Sequence, residues 1–233
     1  DLNDENVESF QIRNYPDAVQ LAEKKNVFLT SAFKDGLFEV QDASSQKIGE
    51  LLDVHEGMRV VDACAGAGGK TLHLAALMKN KGQIIALDIY EWKLAELKRR
   101  AKRAGAHNIE TRYIDDNKVI KRLHEKADRL LIDAPCSGLG VLKRNPDSKW
   151  KIDQDFIDRI KKEQQQILQD YSKILKKGGK MIYATCSILP SENNEQVETF
   201  LKNNDGFSLI KEEKIMPSDG FDGFYMALIE RKA

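Results

Sequence analysis

Residues 59–71 read RVVDACAGAGGKT, an apolar run that breaks into glycines and reopens as a helix-like segment. A strand that feeds a glycine-rich turn before a helix lets a ligand approach the backbone closely, at the carboxyl end of a sheet. The spacing here, Gly66-x-Gly68-Gly69, is neither G-x-G-x-x-G nor a Walker A loop. A glycine loop alone also occurs as plain turn architecture, so the surrounding pattern has to decide.

That pattern is regular. Apolar β-like runs occur at residues 59–64, 83–89, 109–114, 127–134 and 180–186, and helical patterns lie between them at 71–79, 91–104, 155–177 and 191–203. The longest has apolar residues at Phe156, Ile157, Ile160, Ile167, Leu168, Tyr171, Ile174 and Leu175, a helical spacing that ends at a Gly178–Gly179 stop. Continuous apolar strands alternating with helices predict an α/β fold, a parallel sheet covered on both faces. Residues 207–215 and 223–232 are strand-like with no helix between them, as in a terminal antiparallel hairpin. A doubly wound, mostly parallel, Rossmann-like sheet closed by such a hairpin is the architecture of class I S-adenosylmethionine (SAM)-dependent methyltransferases. Residues 1–45 are less regular, with a possible helix at 16–25 and a possible strand at 26–33.

The chain's 233 residues allow one large α/β domain with a small extra element. Lys+Arg and Asp+Glu both number 37, so the net charge is zero and gives no general basic excess for nucleic acid. Basic residues do cluster at 93–103 (KLAELKRRAKR) and 142–151 (LKRNPDSKWK), the first fitting a solvated helix surface. Three cysteines without framework spacing argue against a secreted disulfide scaffold. No run approaches the roughly 20 apolar residues of a membrane span, and there is no signal-peptide core. The sequence starts at Asp1 rather than Met, as a fragment or processed chain would. A cytoplasmic monomer with reduced thiols is the simplest expectation.

Successive strands each end in an acid. Asp88 closes the second, in IIALDIY; Asp115 or Asp116 closes the third, in YIDDN; Asp133 closes the fourth. An acid after the second strand can accept both ribose hydroxyls of an adenosine-containing cofactor. Any one of them could instead cap a loop, but the series favours SAM, whose amino group, ribose and adenine such acids can hold. The fourth and fifth strands also end in cysteines, Cys136 in DAPCSG and Cys186 in ATCS. These strands are neighbours in the methyltransferase order, so the two thiols would face one cleft. A thiolate adding to carbon 6 of a pyrimidine makes carbon 5 able to attack a methyl donor. Asp133 is placed to share a proton with N3 of such a base, and a second thiol could help release the product. Buried packing cysteines are the plainer reading of both positions, and Cys64 fits packing or a cofactor wall better than nucleophile.

The chain resembles the NOL1/NOP2/Sun family of RNA (cytosine-5)-methyltransferases, notably its bacterial RsmB/RsmF-like members, from Phe38 to the end of the sequence. The most specific stretches are DAPCSGLGVLKRNPDSKW (133–150) and YATCSILPSENNEQV (183–197). The resemblance implies that Cys186 is the nucleophile, that Cys136 assists release and that Asp133 joins them. It implies SAM bound by Cys64, Ala65, Gly66, Ala67, Gly68, Gly69 and Lys70 with Asp88, Asp115 and Asp133, Asp116 being the alternative to Asp115. No metal is implied. Arg144 and Asp147, in KRNPD, would shape the active-site loop. Ala67 departs from the family's usual CAAPGGKT, where a proline fixes φ. Residues 46–233 would be the catalytic domain and 1–45 part of an N-terminal subdomain. The implied substrate is RNA, ribosomal before transfer RNA. A nicotinamide oxidoreductase predicts G-x-G-x-x-G and no paired strand-end cysteines; a non-catalytic RNA-binding relative predicts their loss.

Overall fold

The computed structural model describes residues 2–233. Seven strands form the central sheet: β3 (Arg59–Asp62), β4 (Gln83–Asp88), β5 (Ile109–Tyr113), β6 (Ala127–Asp133), β7 (Leu175–Thr185), β8 (Phe207–Ile215) and β9 (Phe224–Arg231). Their order is β5-β4-β3-β6-β7-β9-β8, with a separate small antiparallel pair, β1 (Ser9–Gln11) and β2 (Val19–Leu21). Strands β3 to β7 run parallel, whereas β9 pairs antiparallel with both β7 and β8. The doubly wound sheet with its C-terminal hairpin is therefore present. Chain order reverses direction between β3 and β6, the switch point beside which open α/β sheets bind ligands.

Alternate residues of one strand serve two cores, which is why the strands are apolar throughout. Leu130 and Ile132 face one layer, with Leu168 of α7 (Gln154–Tyr171) and Phe200 of α8 (Asn194–Lys202). Leu131 faces the other, with Ile48 and Leu52 of α2 (Ala43–Leu52) and Leu74 of α3 (Gly69–Leu77). On α4 (Glu91–Arg103), Leu94, Leu97 and Ala101 recur at helical spacing and pack against Ala86. Burying three such side chains stabilises by roughly 1.5–3 kcal/mol for each large one. Among the described residues no helix is long and apolar enough to cross a membrane.

Several elements differ from the sequence expectation. Residues 16–25 hold β2 rather than a helix; Asn14 turns the chain with φ +66° and Ile12 N–H donates to the Ala18 carbonyl at 3.1 Å. Of that span only Ala18 is buried, so a helix there would have no face to pack. Residues 26–33 form not a strand but a 3₁₀ turn and the short α1 (Ser31–Lys34). The Asn26 and Thr30 side chains accept Phe28 N–H and Phe33 N–H, both at 3.2 Å, so capping overrides β-propensity. The long helix ends at Tyr171 rather than at the glycines. Ile174 and Leu175 are instead drawn into the sheet core, and Gly178 lies in a bulge of β7 before pairing resumes at Lys180. Helix α2, started by Asp42 accepting Ser44 N–H at 2.8 Å, was not anticipated.

Candidate active site

The glycine turn is built for close approach. Gly68 caps α3 at φ +92°, and a Cβ there would meet Leu97 Cγ at 2.5 Å. Arg100 Nη1 of α4 donates to the Ala67 carbonyl at 2.8 Å, while Glu39 pairs with Arg100 at 3.0 Å and also with Arg103. The basic run 93–103 is thus divided: Arg100 braces the loop at Ala67, and Arg103 joins it on Glu39. The turn lines a cleft of about 350 Å³, together with Asp42, Asp62, Lys70, Asp133, Arg144, Cys186, Asp222 and Phe224.

Asp62, at the end of β3, is the site residue that the sequence reading passed over. It is buried; Thr71 donates to its Oδ2 at 2.7 Å, but Oδ1 has no hydrogen-bond partner. Burial pushes its carboxyl up to about 7, against the pull of the Thr71 bond and with a further push from Asp133. An orphaned carboxylate oxygen in a glycine-lined cleft fits an ammonium group such as the amino end of SAM. The available signal was an acid at the first strand end, in the same place as the three acids that were singled out.

The other acids divide. Asp88 accepts Gly66 N–H and Tyr90 N–H, each at 2.8 Å, so it shapes the turn while each oxygen keeps a second acceptor position. Asp115 and Asp116 are exposed, and Asp116 caps α5 (Asn117–Lys121) through Lys118 N–H at 2.7 Å. Neither Asp88 nor Asp115 lines the cleft that holds Asp62 and Asp133. Asp133 pairs with Lys70 at 2.7 Å. Burial opposes the Lys70 charge, but Asp133 outweighs it and holds the ammonium protonated.

The sheet brings the two cysteines together. Asp133 pairs with Ala184 across β6 and β7, and the chains continue in parallel to put Cys136 Sγ 3.3 Å from Cys186 Sγ. The hydrogen bond between the thiols lowers Cys186, helped by Lys70 against burial and Asp133, and raises Cys136. Of the two, Cys186 is the thiol that ionises more readily and Cys136 the one that holds its S–H more tightly. Burial pushes the Cys64 thiol up, leaving it a wall of the cleft. Arg144 lines the same cleft in an ion pair with the buried Asp222, whereas Asp147 is exposed.

The sequence profile described as 16S rRNA methyltransferase RsmB/F matches residues 50–229. The chain belongs to the RsmB/F family. Ribosomal RNA small subunit methyltransferase B of Proteus mirabilis is 36% identical over 99% of this chain and 55% of its own length. Among solved structures, that of PH0851 superposes with a TM-score of 0.94 at 32% identity, covering 98% of this chain and 55% of that one. NSun6 from Pyrococcus horikoshii, solved with SFG, gives 0.82 at 28% identity over 93% of this chain and 60% of its own. This RsmB/F chain spans about half the length of the curated relatives it matches. The RsmB/F family is SAM-dependent, in accord with the cleft's donor set.

Proposed function

We propose that this chain transfers a methyl group from SAM to carbon 5 of a cytosine in RNA, ribosomal in preference to transfer RNA. The observation that carries the reading is the thiol pair, 3.3 Å apart, with Cys186 facing a cleft that also holds Asp62 and Asp133. The choice of ribosomal RNA, and with it a cytoplasmic setting, follows the names of the relatives. We read residues 46–233 as the catalytic domain, acting as a monomer, and 1–45 as part of an N-terminal subdomain.

Asp62 Oδ1 would take the cofactor's ammonium, the glycine turn would lie along its amino-acid end, and Asp88 and Asp115 would face ribose and adenine. When bound, SAM supplies an electrophilic methyl group. The Cys186 thiolate adds to carbon 6, and the displaced electron pair makes carbon 5 the nucleophile that takes the methyl group. Asp133, oriented by Lys70, takes up a proton as the base binds and donates it to N3 as the sulfur adds, which neutralises the charge that develops on the ring. A base then removes the carbon 5 proton, the carbon 5–carbon 6 double bond re-forms and the sulfur leaves. Cys136 stands where its S–H can stabilise the departing thiolate.

The test is covalent trapping with full-length RNA and SAM. Cys136→Ala accumulates a protein–RNA adduct resolved by denaturing electrophoresis, while Cys186→Ala forms none. Normal carbon 5 methylation by Cys186→Ala, read by bisulfite sequencing, would overturn the assignment of the nucleophile.

A further inference from the structure

Each cysteine of the pair is followed by a serine, and both hydroxyls converge on one buried carboxylate. Ser137 Oγ and Ser187 Oγ each donate to Glu192 Oε1 at 2.6 Å. Glu192 Oε2 accepts Ser137 N–H at 2.8 Å and Gln164 Nε2 at 3.1 Å. Gln164, on the buried face of α7, also donates to the Pro135 carbonyl at 2.9 Å, and the Tyr183 hydroxyl donates to the Glu192 carbonyl at 2.7 Å. Glu192 and Gln164 are both 0% exposed. One carboxylate thus ties together the loop after β6, the loop after β7 and a helix.

The donors are all uncharged, so the grip is made of short charge-assisted hydrogen bonds rather than an ion pair. Ala134 N–H to the Ala184 carbonyl and Gly140 N–H to the Cys186 carbonyl, each 2.9 Å, fix the flanks of the two loops. Between those flanks, the Glu192 bonds act on the residues that adjoin the sulfurs. We propose that Glu192 is a positioning residue of the reaction centre: by gripping Ser137 and Ser187 together it sets Cys136 and Cys186 at the separation where one thiol can hydrogen-bond the other. This rests on the reading of the thiol pair as the reaction centre.

Proton accounting separates grip from charge. A glutamine can face Ser137 N–H and Gln164 with its carbonyl and give its two N–H groups to the hydroxyls, which rotate to accept. Glu192→Gln keeps the grip without the charge, and Glu192→Ala loses both. The readouts are melting temperature, SAM affinity, kcat and KM on RNA, and the rate at which diamide joins Cys136 to Cys186, followed by mass spectrometry. In that oxidation the two thiols give up two protons and two electrons, which reduce the azo bond of diamide to a hydrazine.

Folded Glu192→Ala is expected to lose at least tenfold in disulfide rate and in kcat, with SAM affinity and KM within twofold of the parent. Glu192→Gln should stay within threefold of the parent in both rates. Parent rates in folded Glu192→Ala overturn the proposal, and so does a loss in Glu192→Gln as deep as in Glu192→Ala. Should Glu192→Ala fail to fold, Ser137→Ala/Ser187→Ala removes both hydroxyl grips but leaves the backbone bond. The same tenfold loss supports the proposal there, and parent rates overturn it. The disulfide rate needs no RNA, so it reports sulfur positioning even if Cys186 proves not to be the nucleophile.

Discussion

At Asp62 a buried carboxyl with one unpartnered oxygen is held near neutrality, which makes its effect on pH explicit. Between its ordinary range and about 7 the folded chain keeps a proton that the unfolded chain has lost. The group therefore lowers stability as pH rises through that window, with its full cost above about 7. Binding an ammonium reverses the preference, because the cation needs the charged form. SAM affinity, measured by calorimetry, should climb by up to about tenfold per pH unit as pH rises toward about 7, stop climbing there, and fall again once the ligand's own ammonium is deprotonated. Asp62→Asn should bind weakly and without that slope; a variant that kept the slope would remove Asp62 from the cofactor site. Residues of this kind are only partly legible in sequence. Cys136, Cys186 and Asp133 announce themselves by standing at strand ends in specific motifs. Glu192 and Gln164 do not: Glu192 stands in a polar turn after β7, and Gln164 looks like a gap in the apolar series of α7 until its partner on another element is known.

Strand ends need backing as well as functional side chains, and Gly140 supplies it for β7. It donates to the Cys186 carbonyl at 2.9 Å and accepts Gly223 N–H at 2.8 Å. A Cβ at Gly140 would collide with the Gly223 carbonyl and stand 2.7 Å from the Cys186 carbonyl. Gly140→Ala should therefore cost about 1–3 kcal/mol by overpacking, measured by denaturant unfolding. It should also cut adduct formation more than tenfold while SAM affinity holds. Equal losses in adduct formation and SAM affinity would show a collapse of the whole cleft rather than a shift of Cys186. The helices and strands around this site could be placed from periodicity because each buries one continuous stripe or run. The N-terminal elements could not, because side-chain caps at Asn26 and Thr30 and a turn at Asn14 determine them, and such bonds leave no periodic trace.

Across the whole molecule, the cofactor cleft joins parts that are otherwise distant in sequence: the Glu39 segment, the turn after β3, α4 and the end of β6. Ligand binding there should act on global stability. SAM at about 100 times its Kd adds about 2.7 kcal/mol, so the melting temperature should rise by about 5–10 °C for a chain of this size, as read by scanning calorimetry. No shift at that concentration would argue against SAM binding to the folded chain alone. The doubly wound architecture was legible at this scale because strands and helices alternate, and so was the terminal hairpin. Which hairpin strand lies inside was not, since both read as strand and only packing chooses. The answer is β9, made after β8 yet seated between it and β7, with Tyr225 opposite Thr185, next to Cys186. During synthesis β7 therefore remains an open edge, with Met181 and Tyr183 lacking their β9 neighbours, until everything through Arg231 has left the ribosome. The strand end that carries Cys186 is completed among the last events of vectorial folding, and a chain interrupted before Phe224 would expose an adhesive strand edge rather than a smaller folded domain.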